Sequence, residues 1–277
     1  MYVILYILSM VNKRVKSRRK VRSRKLVSRE KRLTVKANKK HRKTPRGLPK
    51  IFVINLRRDK EKWQKYNNDF EKGKLSRYSA CNGMEVSKAN PYYDKLKIMW
   101  NAGEKKRKCG AGILNSHMNL IKEIADNKID RALVVEDDSV IDFEQLRKIN
   151  LSKLPQDSLI YFGGVLHPPT SFKDKSWSYE KAKKNFKKGI NKIDSTKYRI
   201  FGGFGYYIPR WEIAKELYYD IFSVKPKLKP LDTEMTYLQK KGIIKYFYYP
   251  AVSYLHMEDA EKGIHGAAYI KRDMKHY

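Results

Sequence analysis

The 277-residue chain predicts an α/β fold with a mostly parallel sheet flanked by helices and a disordered basic arm at its N-terminus. Two patterns carry the sheet. Short apolar runs such as Ile51-Phe52-Val53-Ile54 read as strands buried on both faces, and stretches between them repeat apolar residues at helical spacing. The arm follows from charge: 62 Lys and Arg against 29 Asp and Glu leave a net +33, crowded toward one end.

Residues 1–48 hold about eighteen Lys and Arg against one acid, Glu30. They read as an apolar start plus a flexible basic arm, with one folded domain over 49–277. Met1 to Val11 is almost wholly apolar, but eleven residues rise only about 16 Å as a helix, against a bilayer core near 30 Å. Three readings fit it: a short membrane-associating segment, a degenerate signal, or upstream sequence before a start at Met10. The arm is a solvated tail, or it meets an anionic membrane surface or nucleic acid. Without aromatic interleaving or zinc spacing it does not read nucleic-acid sequence. Two cysteines, Cys81 and Cys109, do not make a disulfide scaffold. Reduced thiols favour a cytoplasmic or membrane-peripheral protein, with an ER or Golgi lumen open if the apolar start is a signal.

The folded part opens with the strand Ile51–Leu56. Asp59 can cap the helix that follows, where Trp63, Tyr66 and Phe70 recur at helical spacing. Ser76 to Ala80 reads as a second strand, ending in a turn at Asn82-Gly83. Over 109–127, Ile113, Leu114, His117, Met118, Ile121, Ile124 and Ala125 form one helical stripe. Ala132 to Val135 is a buried strand that runs directly into Glu136-Asp137-Asp138. Ser158 to Phe162 is a further strand, stopped by Gly163-Gly164. Gly205 to Ile208 is another, with Pro209 opening a helix to Tyr219. Leu231 to Lys241 is a helix closed by Gly242, Ile243 to Tyr249 a strand, and the last residues are irregular.

In such folds ligands bind at the carboxyl ends of the strands. Three adjacent acids lie at one such end. If extended, Glu136 and Asp138 project to the same side about 6.5–7 Å apart. A divalent cation can sit there, held by one or two carboxylates and substrate phosphates. The bland alternative is a solvated acidic turn. His117, one turn from Ile113 and from Ile121, reads first as a core-edge histidine. Asp232 and Glu234 begin a helix, where acids suit the dipole, and either could also serve as a general base. His256 could be a third ligand for an ion such as Mn²⁺, with His265 its equal competitor.

Four segments in order carry a resemblance: Val53-Ile54-Asn55-Leu56-Arg57-Arg58-Asp59, Tyr78-Ser79-Ala80-Cys81-Asn82-Gly83, Gly110-Ala111-Gly112-Ile113-Leu114-Asn115-Ser116-His117, and Ala132-Leu133-Val134-Val135-Glu136-Asp137-Asp138. With weaker echoes at Tyr161-Phe162-Gly163, Gly203-Phe204-Gly205-Tyr206-Tyr207 and Pro230-Leu231-Asp232, the chain from about 50 to 255 resembles glycosyltransferase family 25. It departs at Asn82, where an acid is usual, at Ile113, near the usual cysteine, and in the Lys-rich Ser171–Arg199 segment.

The resemblance implies a GT-A, Rossmann-type fold, a UDP-sugar donor (galactose or glucose), Mn²⁺ or Mg²⁺, and transfer with inversion to a hydroxyl of a glycan or glycoprotein. On that footing Asn55, Arg57 and Arg58 hold the nucleotide or its phosphates. Asn82-Gly83 approaches the base or ribose, and His117 supports the donor site. Glu136 or Asp137 takes the ribose or a metal-bound water. Asp138 binds the metal, with Glu136 and His256 as further ligands, and Asp232 or Glu234 takes the acceptor proton. Two other classes stay open: a metal-dependent nuclease or phosphotransferase built on the same acids, and a catalytically inactive domain used for binding.

Overall fold

Alternate residues of the run Ile51–Ile54 enter different cores, which is why the run has no polar face. Ile51 and Val53 pack with Leu133, Val135, Ile160 and Tyr207 on one side of the sheet. Phe52 and Ile54 join Val134, Tyr161, Tyr206 and Ile208 on the other. The computed structural model describes residues 47–68, 75–87, 90–99, 103–169, 178–203 and 205–255, all inside one unit, Arg46–Tyr277. The basic arm, Phe70, His256 and His265 lie outside the described residues.

In chain order, β1 (Lys50–Asn55) leads to α1 (Lys60–Asn68), β2 (Leu75–Ser79), α2 (Pro91–Met99) and the long α3 (Glu104–Asp126). Next come β3 (Ala132–Glu136), β4 (Ser139–Ile141), α4 (Phe143–Lys148), β5 (Ile160–Tyr161) and β6 (Val165–His167). They are followed by α5 (Tyr179–Lys183), β7 (Gly189–Lys192), β8 (Arg199–Phe201) and β9 (Tyr206–Ile208). Helix α6 (Trp211–Lys215) runs on as a π-helical turn, Glu216–Phe222; α7 (Leu231–Lys240), β10 (Tyr246–Tyr249) and β11 (Ser253–Leu255) complete the order.

Seven strands form one sheet in the order β2-β1-β3-β9-β5-β10-β7. Strands β1, β2 and β3 are mutually parallel, as are β5 and β10; β9 and β7 run against their neighbours. Five of the seven therefore point one way, and the expected mostly parallel, helix-flanked α/β sheet is the one observed. The registers Ile54↔Glu136 and Asn55↔Ser79 bring three strand ends to one edge. Because β9 is reversed, it begins at that same edge, with Tyr206 opposite Val134. Outside the main sheet, β11 pairs with β4, setting Leu255 opposite Ser139. Among the described residues no helix is long and apolar enough to cross a membrane.

Several local expectations need correction. The helix expected from Cys109 starts earlier, at Glu104. Ile113 leaves the buried stripe and is 48% exposed, because it faces a cleft rather than the core. The strand expected at 158–162 keeps only Ile160–Tyr161, since Phe162 and Gly163 turn to donate their amides to Gly205 O at 3.0 and 2.9 Å. The helix after Pro209 starts two residues later, at Trp211. The C-terminal stretch is not wholly irregular, for Ser253–Leu255 is a strand.

Candidate active site

The three acids do not continue the strand. β3 ends at Glu136, and Asp137-Asp138 form a turn into β4. Two bonds close that turn: Asp137 N–H donates to Ile54 O at 3.1 Å, and Ser139 Oγ donates to Glu136 O at 2.6 Å. The expected same-side projection of Glu136 and Asp138 is thereby replaced, and each carboxylate takes its own direction.

Glu136 meets His117, with Oε1 3.1 Å from Nε2. His117 is buried, and its Nδ1 lies 3.0 Å from the Tyr206 hydroxyl. Burial holds the Tyr206 phenol well above its ordinary pKa, so it keeps its proton. The hydroxyl satisfies Nδ1 as donor or acceptor, and Nε2–H donates to Glu136. His117 is a satisfied buried histidine and also the support of Glu136. Gly203 packs on both: a Cβ there would stand 2.7 Å from Glu136 Oε1 and 3.1 Å from His117 Cε1.

Asp137 accepts from Asn55 Nδ2 at 2.6 Å and pairs with Lys62 at 3.5 Å. Asp138 is half-buried, and its buried Oδ1 has no hydrogen-bond partner among the described residues. Burial first, then the negative charges of Glu136 and Asp137, push its carboxyl up to about 7, against the opposing pull of Lys62. Asp232 is raised to about 6, mainly by burial and then by Glu136, although Gly202 N–H donates to its Oδ1 at 3.2 Å and His117 pulls the other way. Asp138 and Asp232 thus each feel the charge of Glu136.

A cleft of about 280 Å³ is lined by Glu136 and Asp137, while Asp138 and Asp232 are not among its lining residues. Arg58 and Lys62 bound it on one side, Asn82 and Gly83 on another, and Ile113 and His117 of α3 form its wall next to Glu136 and Asp137. Two glycines let the loop seat on the helix. A Cβ on Gly112 would lie 2.7 Å from Gly83 Cα, and one on Gly83 would lie 2.6 Å from Cys109 Cα. Ser116 pins the contact, donating to Gly112 O at 2.7 Å and accepting Cys81 N–H at 2.9 Å. Asn82 caps the short turn behind it, accepting from Met84 N–H at 3.1 Å.

Of the residues singled out from sequence, Arg58, Asn82, Gly83, His117, Glu136 and Asp137 meet in this cleft. Asn55 does not face it: the side chain is fully buried and committed to Asp137, to Asp59 O at 3.1 Å and to Arg77 at 2.7 Å. Arg57 turns aside to donate to Ser79 Oγ at 3.2 Å. Glu234 is also committed, accepting from Lys225 at 2.6 Å and Lys229 N–H at 2.8 Å, so it pins the loop before α7 instead of reaching the acids. Lys62, Arg77, Ser116 and Tyr206 are not singled out as site residues by the sequence, although Ser116 and Tyr206 lie inside segments that carry the family resemblance.

Among the described residues no three His, Cys, Asp or Glu side chains gather as a metal cage. The unpartnered Asp138 oxygen near Glu136 fits the sparser arrangement in which one or two carboxylates share an ion with substrate phosphates.

In open α/β sheets ligands bind outside the carboxyl ends of the strands, where this cleft lies. Comparison supplies the family. The model of glycosyltransferase family 25 (LPS biosynthesis protein) matches residues 48–235. The chain belongs to glycosyltransferase family 25, and its domain is that of a transferase. A search of curated proteins returns no match.

Proposed function

We propose that the protein is an inverting, metal-dependent glycosyltransferase of GT-A type. In this reading it moves a hexose, galactose or glucose, from a UDP-sugar to a hydroxyl of a glycan or glycoprotein. The observation that carries the reading is the buried, unpartnered Asp138 oxygen beside Glu136, next to a cleft bounded by Arg58 and Lys62. Ionisation of a carboxyl in such a place is favoured by a positive occupant. Asp138 and Glu136 would hold Mn²⁺ or Mg²⁺. Leu255 pairs opposite Ser139, next to Asp138, so His256, the following residue, is proposed as the third ligand. When bound, the ion would offset the charge of the leaving diphosphate.

The remaining roles belong to the chain. Arg58 and Lys62 take the donor phosphates, and the Asn82-Gly83 turn takes the base or ribose. His117 keeps Glu136 aimed through Nε2–H. Asp232 accepts the proton of the acceptor hydroxyl as that oxygen bonds to the anomeric carbon and the bond to UDP breaks. A carboxyl raised to about 6 is largely ionised at neutral pH and still basic enough to take a proton. The basic arm is proposed to hold the enzyme at an anionic membrane surface, placing it in the cytoplasm or at the membrane periphery.

The test is a panel of nucleotide sugars with Mn²⁺ and candidate acceptors, read as nucleotide release. UDP-galactose or UDP-glucose should be turned over. Tight UDP binding without release from any donor would favour a binding domain, and cleavage of DNA or RNA would favour a nuclease.

A further inference from the structure

We propose that Arg77 is a positioning residue of the donor cleft: through the buried Asn55 amide it sets the orientation of the Asp137 carboxylate. The proposal rests on reading that cleft as the donor site.

Arg77 lies on β2, opposite Val53 of β1. Its guanidinium bridges the loop that leaves β1. Nε donates to Asn55 Oδ1 at 2.7 Å, and Nη2 donates to Leu56 O at 3.0 Å and Arg57 O at 3.2 Å. The same guanidinium sits 5.7 Å from the centroid of the Trp63 ring of α1. A guanidinium only donates, and an ionised carboxylate only accepts. The amide between them can satisfy both in one orientation, with Oδ1 toward Arg77 and Nδ2 toward Asp137 Oδ2 at 2.6 Å.

Without the guanidinium, Asn55 Oδ1 loses its donor, and the amide is held only through Nδ2, on Asp137 and on Asp59 O. The amide can then tilt about that end, and the Asp137 carboxylate moves with it from its place beside Lys62. Arg77 lies outside the cleft wall, so its effect passes through Asn55 and Asp137. The bonds to the carbonyls of Leu56 and Arg57 also hold the loop that carries Arg58, a second contact that does not pass through Asp137. Residues that orient the groups lining a site typically influence activity by about 10–100-fold.

The experiment compares full-length wild type with Arg77→Met, Arg77→Lys, Asp137→Asn and the Arg77→Met/Asp137→Asn pair. The first readout is the Asn55 side-chain amide resonance in the ¹⁵N–¹H spectrum, assigned by its loss in Asn55→Asp. It should move in Arg77→Met and in Asp137→Asn. The second readout is UDP-sugar turnover. Arg77→Met should lose about 10–100-fold in kcat/KM, mainly through donor KM, with the acceptor KM unchanged. On the Asp137→Asn background the same change should cost markedly less than on wild type, because two residues in one chain of contacts do not add, and the remainder is the share carried by the bonds to Leu56 O and Arg57 O. An unmoved Asn55 resonance, or losses that multiply, would overturn the proposal. Should Arg77→Met fail to fold, Arg77→Lys, which keeps the charge but not the fork, is read by the same criteria. If the wild type turns over no nucleotide sugar, the donor reading fails, and the Asn55 resonance still decides the role of Arg77.

Discussion

Asp138 and Asp232 are the residues at which the site departs most from ordinary surface chemistry. For Asp138 the native carboxyl titrates at about 7, above its ordinary 3.8. Between those values the folded protein retains a proton that the unfolded chain has released, so stability falls as pH rises through that window and stays low above it. Asp138→Asn is neutral at every pH. At pH 8 without metal it should be more stable than wild type by roughly 1 kcal/mol or more, about 2–4 °C in Tm, and it should be inactive. Thermal melts at pH 4 and 8 check the sign: the gain should be present at the higher pH and shrink at the lower. Asp232 gives a rate prediction. As a proton acceptor it must be ionised, so kcat should rise with pH through about 6. Asp232→Asn should remove that acid limb and lose about 10²–10⁴ in kcat; a pH–rate profile of both proteins decides it.

At the scale of elements, the Asn82-Gly83 turn and α3 meet backbone to backbone. Gly112→Ala would drive a Cβ to 2.7 Å from Gly83 Cα, where no flexible side chain can yield. The loop must lift, and we expect a loss of about 1–3 kcal/mol in urea unfolding together with weakened nucleotide binding. Ser116→Ala leaves Cys81 N–H without its acceptor and should cost about 1 kcal/mol, with a smaller effect on binding. These elements were largely legible in the sequence. The apolar runs at 51–54 and 132–135 became β1 and β3 because both sheet faces are covered, and the stripe from Leu114 to Ala125 became the buried face of α3. The direction of each acid was not legible. Past Glu136 the chain is steered by Ser139 Oγ and by the pairing of β4 with β11, a partner far along the chain. Asn55 reads as a displayed polar group ending an apolar strand, yet Arg77 on the neighbouring strand commits it internally. Glu234 reads as an alternative base, yet Lys225 arrives through space to claim it.

For the whole molecule, both core clusters lie within Arg46–Tyr277. A chain starting at Arg46 should therefore keep the melting transition of the full protein, measured by circular dichroism. Family membership fixes the transferase class, and the central claim of the proposed function is that a cation and a pyrophosphate bind together. Titration calorimetry of UDP with and without Mn²⁺, on wild type and Asp138→Asn, tests it most directly. The account predicts that Mn²⁺ tightens UDP binding to wild type by at least about tenfold, with little gain in Asp138→Asn. Equal UDP affinity with and without Mn²⁺, or an unchanged Mn²⁺ effect in Asp138→Asn, would contradict it.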